Sequence, residues 1–164
     1  MSFSTCDLCD AHASMLAAGS LAVLPPIFTA YGARAAFSGP AQTLKVFEDN
    51  ALVRTTLESA GDGRVLVIDG GASVRSALVG GKLGVLAVDN GWAGLLVYGA
   101  VRDVAELNAS DVGIRALALH PQRSARLGVG DTGTRVMIAG VAVAPGYWIY
   151  ADADGVLVSH TALP

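Results

Sequence analysis

An apolar segment of the chain, residues 94–101, ends at two adjacent charges of opposite sign, Arg102 and Asp103. A strand buried on both faces excludes charged side chains, so this pair marks the carboxyl end of a strand. In open α/β sheets the ligand crevice lies outside the carboxyl ends of the strands. Arg binds a carboxylate with two hydrogen bonds, and Asp is a hard oxygen ligand suited to Mg²⁺ or Mn²⁺. The pattern predicts a site that holds an acid through Arg102 and a divalent metal through Asp103.

A simpler interpretation of the same pair stays open. Asp103 would be the N-cap of the helix that follows, and Arg102 would be an ordinary surface cation. The glycine pairs at residues 70–71 and 80–81 have two interpretations as well. Glycine lets backbone N–H groups approach an anion, and a helix N-terminus adds favourable partial charge, yet tight turns use the same residues. Neither pair matches a dinucleotide or P-loop fingerprint.

The composition describes one domain, residues 1–164, that carries few charges. Only 15% of the residues are charged, and the net charge is −3 at pH 7. A chain of this size with so little charge often buries further surface in an oligomer, although a monomer with few charges stays an alternative. There is no run of basic residues, so direct nucleic-acid binding is not expected.

No segment of the sequence has the pattern of a membrane span or a signal peptide. The most apolar stretch, residues 83–101, is interrupted by polar residues at 89–91. The N-terminus carries Asp7 and Asp10 where a signal peptide is basic. We therefore expect a cytoplasmic protein with no membrane partner.

Apolar periodicity predicts β/α alternation in the middle of the chain and antiparallel β segments towards the C-terminus. Predicted helices span residues 5–18, 51–60, 73–78, 82–89 and 104–107, the first capped by Thr5 and the second by Asp49-Asn50. Predicted strands span residues 32–38, 41–47, 64–69, 95–98 and 114–119, with a turn at residues 38–40. Residues 134–158 predict three or four further β segments, with turns at residues 139–140, 145–146 and 154–155. The predicted fold class is α/β.

Two cysteines, Cys6 and Cys9, form a Cys-x-x-Cys pattern near the N-terminus. Such a pattern can be redox-active or can form half of a zinc site, but no second pair exists and no predicted strand precedes it. We therefore favour ordinary helix residues, in keeping with how often free cysteines are buried. Serine hydrolase chemistry is unsupported, because the chain has no Gly-x-Ser-x-Gly elbow.

Six motifs occur in collinear order between about residue 5 and residue 163. They are Leu8-Cys9-Asp10-Ala11, Phe47-Glu48-Asp49-Asn50, Val65-Leu66-Val67-Ile68-Asp69-Gly70-Gly71, Asn90-Gly91-Trp92, Tyr98-Gly99-Ala100-Val101-Arg102-Asp103 and Tyr150-Ala151-Asp152-x-Asp154-Gly155. Together they resemble the family of the regulator of ribonuclease E activity A (RraA), which is related to the class II 4-hydroxy-4-methyl-2-oxoglutarate aldolases. The resemblance implies one RraA-like domain with a swivelling β/β/α fold. It also implies a ring-shaped homotrimer with active sites at the subunit interfaces.

The resemblance to the aldolase branch implies specific roles for residues of this chain. Asp103 would hold the divalent metal, Mg²⁺ or Mn²⁺, and Arg102 would bind the pyruvoyl part of the substrate. The turn Gly80-Gly81-Lys82-Leu83 would contribute backbone donors to the substrate. The aldolases carry an Asp where this chain has Gly81, so a carboxylate that could take part in proton transfer is lost. The regulators also lack this Asp, but the best known regulator lacks the Asp of the Arg-Asp pair as well, whereas this chain keeps Asp103. The resemblance therefore places the chain between the two branches.

The implied function is that of a metal-dependent lyase that acts on pyruvate-forming 2-oxo acids, as an aldolase or an oxaloacetate decarboxylase. Both reactions pass through the enolate of pyruvate. Decarboxylation needs no base to start, whereas aldol cleavage must remove a hydroxyl proton, so we expect Gly81 to weaken aldol cleavage more.

Two other functions are linked with this family. The alternative to the lyase is a non-catalytic regulator that binds and inhibits ribonuclease E. A menaquinone methyltransferase is not supported, because the chain has no nucleotide-type glycine motif.

Overall fold

The structure, a computed structural model, describes residues 2–164. Its helices are α1 (Thr5–Ala11), α2 (Ala13–Ala18), α3 (Ala51–Leu57), α4 (Gly81–Asp89) and α5 (Val104–Ala109). Its strands are β1 (Leu21–Val23), β2 (Thr29–Tyr31), β3 (Phe37–Lys45), β4 (Val65–Asp69), β5 (Ala77–Val79), β6 (Gly94–Val101), β7 (Gly113–Leu119), β8 (Asp131–Thr132), β9 (Val136–Ile138), β10 (Val141–Val143), β11 (Trp148–Ala151) and β12 (Val156–Ser159). Within residues 2–164, no helix is both long and apolar enough to cross a membrane.

Most of the strands form one mixed sheet with the path β1-β12-β11-β3-β4-β6-β7-β2. Its centre, β3-β4-β6-β7, is parallel, and the strands on either side are antiparallel to their neighbours. The short strand β5 pairs with β6 in parallel, and β9 and β10 form a separate hairpin. The predicted α/β class, with central alternation and antiparallel β segments towards the C-terminus, is confirmed.

Apolar side chains cover both faces of the central parallel strands. All five residues of β4 are buried, as is typical of a strand covered on both sides. On one face the core includes Leu57 of α3, Leu83 of α4 and Leu107 of α5. On the other face it is formed with residues of β9 to β12. Because α4 begins soon after β5, and α5 soon after β6, their N-termini meet at the carboxyl edge of the parallel strands.

The helix predicted over residues 5–18 is wrong in two respects. It is divided at His12 into α1 and α2, and its cap is Ser4 rather than Thr5. The Ser4 side chain accepts a hydrogen bond from the Asp7 N–H. Thr5 instead donates its backbone N–H and its hydroxyl to the two carboxylate oxygens of Asp152, each at 2.7 Å. The sequence could not show this contact, because it joins the two ends of the chain.

The two strands predicted over residues 32–38 and 41–47 are wrong in two respects. Residues 32–36 are not in a strand, and residues 37–45 form one continuous strand, β3, through the predicted turn at residues 38–40. The first part of β3 pairs antiparallel with β11, and the second part pairs in parallel with β4. Gly39 lies near this change of partner, where a Cβ would overlap the carbonyl oxygen of Gly63. The glycine is therefore required for a close approach of two backbones and not for a turn.

The helix predicted over residues 73–78 is also wrong, because residues 77–79 form β5. All three residues of β5 are buried, and the strand pairs in parallel with β6. A short apolar segment has no periodicity that separates a helix from a buried strand. Its secondary structure is therefore decided by the strand that it pairs with, here β6. As a strand, β5 leads directly into the glycine pair at residues 80–81.

The amino ends of β6 and β7 pack against one aromatic ring, which leads to a stability prediction. The ring of Phe37 lies across Gly94 and Gly113, which are paired in register, and a Cβ on either glycine would overlap it. We expect Gly94→Ala to lower the free energy of unfolding by about 1–3 kcal/mol, because the core must repack around the new methyl group. Urea denaturation measures this change.

The matched control for this substitution is Gly155→Ala. A Cβ at Gly155 would meet no atom within 4 Å. Its effect on the free energy of unfolding is expected to stay within about 0.5 kcal/mol. Equal effects of the two substitutions would contradict the packing of the Phe37 ring.

Candidate functional site

A cleft of about 600 Å³ opens at the carboxyl edge of the parallel strands. It lies where β5 and β6 end and where α3, α4 and α5 begin, and the loop after β7 closes one side. Five of the predicted site residues line it: Gly80, Lys82, Leu83, Arg102 and Asp103. The sixth, Gly81, is buried in the turn between them. The structure thus brings the Arg102-Asp103 pair and the turn at residues 80–83 together in one cleft.

Asp103 has an unusual backbone conformation for a residue that is not glycine. Its φ of 59° and ψ of 49° lie in the left-handed region, which Asp tolerates better than most residues at a cost of about 1–3 kcal/mol. Its carbonyl accepts the Leu107 N–H at 2.9 Å, so the backbone does occupy the N-cap position of α5. The side chain makes no cap bond there, and its Oδ2 accepts the Gly81 N–H at 3.0 Å instead. The strained backbone thus directs the carboxylate towards the N-terminus of α4, inside the cleft.

The Arg102 side chain lies beside this carboxylate with most of its donors unused. Its Nε is 3.9 Å from Oδ2 of Asp103, and its Nη1 donates to the Pro121 carbonyl at 3.3 Å. Its backbone N–H donates to the Val79 carbonyl at 2.9 Å, which fixes the start of the side chain relative to β5. Within residues 2–164 the guanidinium has no other hydrogen-bond partner. It is therefore available to bind a carboxylate from a ligand.

The absence of side chains at Gly80 and Gly81 makes room for the acidic groups of the site. A Cβ on Gly80 would lie 2.7 Å from Oδ2 of Asp103 and 3.3 Å from Cγ of Arg102. A Cβ on Gly81 would overlap a carboxylate oxygen of Glu106. One donor of this turn stays free, because the Lys82 N–H has no acceptor within the described part of the chain. The two glycines thus allow two carboxylates to approach the first turn of α4.

Cations outnumber anions in the cleft. Five of the chain's 11 Lys and Arg residues line it, against two carboxylates, Asp103 and Glu106. The five cations are Arg54, Lys82, Arg102, Arg123 and Arg126. Because the whole chain has a net charge of −3, the cleft is a local concentration of positive charge. Such a cleft favours a small anionic ligand.

The loop after β7, which carries Arg123 and Arg126, is held tightly against β5. Between the two arginines, Ser124 is buried and donates its N–H and its hydroxyl to the Ala77 carbonyl at 3.1 and 2.8 Å. Its hydroxyl also lies 2.9 Å from Oγ of Ser76. The backbone on either side of Ser124 is therefore fixed, so the two arginines extend from a defined position.

Buried Asp49 connects the start of α3 to the same loop. Its carboxylate accepts N–H groups from Ala51 at 3.0 Å, Leu127 at 2.9 Å and Val129 at 3.3 Å. Burial by itself would raise the pKa of Asp49, but the backbone donors outweigh it and hold the pKa below its usual value. The carboxylate is therefore a charged anchor for the wall of the cleft.

The lowered pKa of Asp49 predicts acid sensitivity of the fold. The ionised carboxylate stabilises the folded state fully above the pKa of the unfolded chain, near 4, and this stabilisation is lost as the pH falls through the lower folded-state pKa. We expect Asp49→Asn to lower the free energy of unfolding at pH 7 by about 2 kcal/mol. The variant should lose less further stability between pH 5 and pH 3, in urea titrations at each pH. An unchanged acid dependence would contradict the anchor.

The glycine pair at residues 70–71 is a turn and not an anion site. The N–H groups of Gly70 and Ala72 both donate to the Tyr98 carbonyl, at 3.1 and 3.2 Å. The Gly71 N–H donates to the Asp69 carboxylate at 2.9 Å. No donor of this turn is left for a ligand, so the turn interpretation applies here.

The cysteines show none of the features of a reactive pair. Both thiols are free and lie on α1. The negative charge of Asp154 raises the pKa of the Cys6 thiol, and burial raises that of Cys9, so the reactive thiolate is disfavoured at both. Among residues 2–164, no three Cys, His, Asp or Glu side chains are grouped to hold a metal ion. The interpretation as ordinary helix residues agrees with these observations, although Cys6 is exposed and Cys9 is only partly buried.

Sequence reasoning missed four charged residues of the cleft: Arg54, Glu106, Arg123 and Arg126. Glu106 could have been found, because it follows Asp103 by three residues and therefore shares a face of the predicted helix. The arginines carry no such signal, since α3 and the loop after β7 meet the turn at residues 80–81 only in the folded chain.

Comparison with known proteins places this chain in one family. Residues 5–158 match the family model described as RraA-like, Aldolase/RraA. The chain belongs to this RraA-like family. Two relatives, from Cupriavidus necator and Burkholderia multivorans, bear the name "putative 4-hydroxy-4-methyl-2-oxoglutarate aldolase". Each is 61% identical; the first match covers 97% of this chain and 96% of the relative, and the second covers 99% of both.

Two solved structures are similar over nearly the whole chain. One is described as the RNA-processing inhibitor RraA from Thermus thermophilis, with a TM-score of 0.93, 44% identity, and coverage of 100% of this chain and 96% of that one. The other is described as an S-adenosylmethionine:2-dimethylmenaquinone methyltransferase from Geobacillus kaustophilus. Its TM-score is 0.92 at 41% identity, and the match covers 98% of this chain and 97% of that one. The predicted RraA-like membership is thus confirmed by sequence and by structure.

Proposed function

We propose that this protein is a divalent-metal-dependent lyase that releases pyruvate from 2-oxo acids. Its reactions would be the aldol cleavage of 4-hydroxy-4-methyl-2-oxoglutarate and the decarboxylation of oxaloacetate. The observation that carries the proposal is the convergence of Arg102, Asp103 and the turn at residues 80–81 in one cationic cleft. The names of the Cupriavidus and Burkholderia relatives support the aldolase part.

The surroundings of Asp103 fit a bound divalent cation. Its side chain is 42% exposed, and among the described residues Oδ1 accepts no hydrogen bond. Mg²⁺ usually keeps several waters and takes only one or two protein carboxylates, so a site with few ligands suits it. Mn²⁺ prefers the same oxygen donors. A cation held by Asp103 would act as a Lewis acid that stabilises negative charge on the keto oxygen of the substrate.

Arg102 and the first turn of α4 would hold the substrate in place. The unused donors of the guanidinium can bind the carboxylate next to the keto group with two hydrogen bonds. The free Lys82 N–H lies at the positive end of α4 and can donate to a second oxygen. These fixed donors would orient the bond that breaks and stabilise the charge that develops.

The same arrangement would serve both reactions, because both produce the same unstable species. Loss of CO₂ from oxaloacetate leaves the enolate of pyruvate. Breaking the C3–C4 bond of 4-hydroxy-4-methyl-2-oxoglutarate leaves the same enolate, and a second molecule of pyruvate. The groups that bind the carboxylate and the keto oxygen are therefore common to the two substrates.

The test of this proposal is pyruvate release from each substrate with Mg²⁺ or Mn²⁺, with and without a chelator. We expect release well above the rate with metal alone, lost when the chelator is added and restored by excess metal. Release no faster than the metal blank with both substrates would overturn the proposal.

Both proposed substrates carry a second carboxylate, and the loop after β7 would bind it through Arg123 and Arg126. A hydrogen bond to a charged group contributes about 1.5–3 kcal/mol, so removing both arginines is expected to raise KM for oxaloacetate at least tenfold. The inhibition constant of pyruvate, which has one carboxylate, should change little. Equal changes for oxaloacetate and pyruvate would contradict binding of the second carboxylate here.

We also propose that the protein forms a homotrimer. Three large apolar side chains near the cleft are exposed: Phe47 at 58%, Leu127 at 81% and Val129 at 67%. Asp49 brings them together, because it follows Phe47 closely in sequence and binds the backbone of the other two. Burial of these side chains between subunits would be favourable. Analytical ultracentrifugation should show three times the mass of the chain, and a monomer would contradict the proposal.

A second candidate function is the non-catalytic inhibition of ribonuclease E. The similarity to the Thermus structure described as an RNA-processing inhibitor favours it. The test is a pull-down of purified ribonuclease E with the parent protein and with Asp103→Asn. Equal capture by both, together with no pyruvate release by the parent, would establish the regulator in place of the lyase.

A further inference from the structure

The carboxylate of Glu106 occupies the space that a side chain at position 81 would fill. A Cβ on Gly81 would overlap Oε2 of Glu106 and would lie 2.7 Å from its Cβ and 2.8 Å from its Cδ. The contact therefore involves the length of the Glu106 side chain and not only its flexible end. Glu106 can lie here only because residue 81 is glycine.

Glu106 and Asp103 approach the same turn from the start of α5. Asp103 reaches it through the hydrogen bond from the Gly81 N–H, and Glu106 packs on the Cα side of Gly81. Both residues line the cleft. The two carboxylates differ in their partners, however. Asp103 accepts a hydrogen bond and lies near Arg102, whereas the Glu106 carboxylate has no hydrogen-bond or ion-pair partner among residues 2–164.

We propose that Glu106 is the general base of aldol cleavage in this protein, an inference that rests on the proposed lyase function. The Glu106 carboxylate takes the proton of the C4 hydroxyl, the C4–O bond becomes a carbonyl, and the C3–C4 bond breaks. The electron pair of that bond forms the enolate of pyruvate. The proton then returns from Glu106 to C3, so the reaction yields two molecules of pyruvate with no other reactant.

This role separates the two reactions of the cleft. Aldol cleavage starts with removal of a hydroxyl proton, whereas decarboxylation starts with loss of CO₂ and needs no base. Removal of a C3 proton from bound pyruvate, which exchanges its methyl protons with solvent, also needs the base. Glu106 should therefore matter for cleavage and for exchange much more than for decarboxylation.

The experiment compares the parent protein with Glu106→Gln and with Asp89→Asn as the matched control. Asp89 is an exposed carboxylate at the far end of α4, outside the cleft. For Glu106→Gln we expect the ratio of cleavage to decarboxylation to fall at least tenfold, and deuterium exchange of the pyruvate methyl group, followed by NMR, to fall with it. Asp89→Asn should change neither the ratio nor the exchange.

Several outcomes would overturn the inference, and they differ from failure of the proposed function. A Glu106→Gln protein with the parent's ratio and exchange rate would show that Glu106 is not the base. A parent that decarboxylates oxaloacetate but never cleaves the aldol substrate would have the same consequence. If the parent protein releases pyruvate from neither substrate, the proposed lyase function itself is overturned.

A second variant tests the contact itself without depending on activity. In Gly81→Ala the new methyl group must displace Glu106, so both stability and the cleavage ratio should fall. In a Glu106→Gly background the same substitution should cost much less stability, because none of the three Glu106 atoms that the methyl group would meet remains, and Ala favours a helix over Gly. The double-mutant cycle from urea unfolding gives the coupling, and a coupling of zero would contradict the position of Glu106.

Discussion

Replacing Asp103 with Asn is expected to abolish metal-dependent pyruvate release from both substrates, by at least about a hundredfold. The amide oxygen can still accept the Gly81 N–H, and Asn tolerates the left-handed backbone as well as Asp does, so the fold should persist. What the substitution removes is the negative charge that would hold the cation. The loss should therefore appear as lost metal affinity as well as lost turnover.

The measurement pairs turnover with a direct titration of Mn²⁺ binding to the parent and to Asp103→Asn. The free energy of unfolding of the two proteins without metal should agree within about 0.5 kcal/mol, which separates a site effect from a folding defect. If Asp103→Asn decarboxylates oxaloacetate as fast as the parent, Asp103 is not the metal ligand and the site assignment fails.

The substitution Gly80→Ala is expected to have the second largest effect, although it adds only a methyl group. Gly80 has an ordinary extended backbone, with φ −128° and ψ −174°, so alanine causes no backbone strain. The methyl group would lie 2.7 Å from Oδ2 of Asp103 and 3.3 Å from Cγ of Arg102. Both functional side chains must move, and a displacement of this size in an active site costs about a hundredfold in rate.

The substitution Gly81→Ala is the matched comparison for Gly80→Ala. Gly80→Ala displaces the groups shared by the two reactions, so cleavage and decarboxylation should fall together with their ratio unchanged. Gly81→Ala displaces Glu106, so the ratio should fall. The two variants are measured side by side with both substrates. If they gave the same pattern, the different roles of Asp103 and Glu106 would be contradicted.

The position of Glu106 also revises what Gly81 means for function. From the sequence, a glycine in place of the aldolase Asp predicts weakened cleavage, because no carboxylate is left at that position. In the structure, a carboxylate from α5 lies in the same space. Under the inference above, the parent retains a base, and the weak cleavage expected from Gly81 should appear only when Glu106 is changed.

The fold was predictable where the signal is local. The buried strands β4, β6 and β7 and the helix α4 follow from apolar runs that end in turn residues or charges. The prediction failed where a short segment depends on its partner. β5 is too short to show a period. β3 continues through Gly39 and Pro40 because it pairs with β11 as far as Pro40 and with β4 from Ala41 onwards.

The sequence by itself determined the RraA-like family, the strand that ends in Arg102-Asp103 and the glycine turn beside it, because each of these is a pattern of neighbouring residues. Only the tertiary structure placed Glu106 over Gly81 and brought Arg54, Arg123 and Arg126 into the same cleft. Those residues lie on segments far apart in the chain, and their meeting depends on how the parallel strands pair and where the helices begin. A pattern of neighbouring residues therefore cannot predict such a contact.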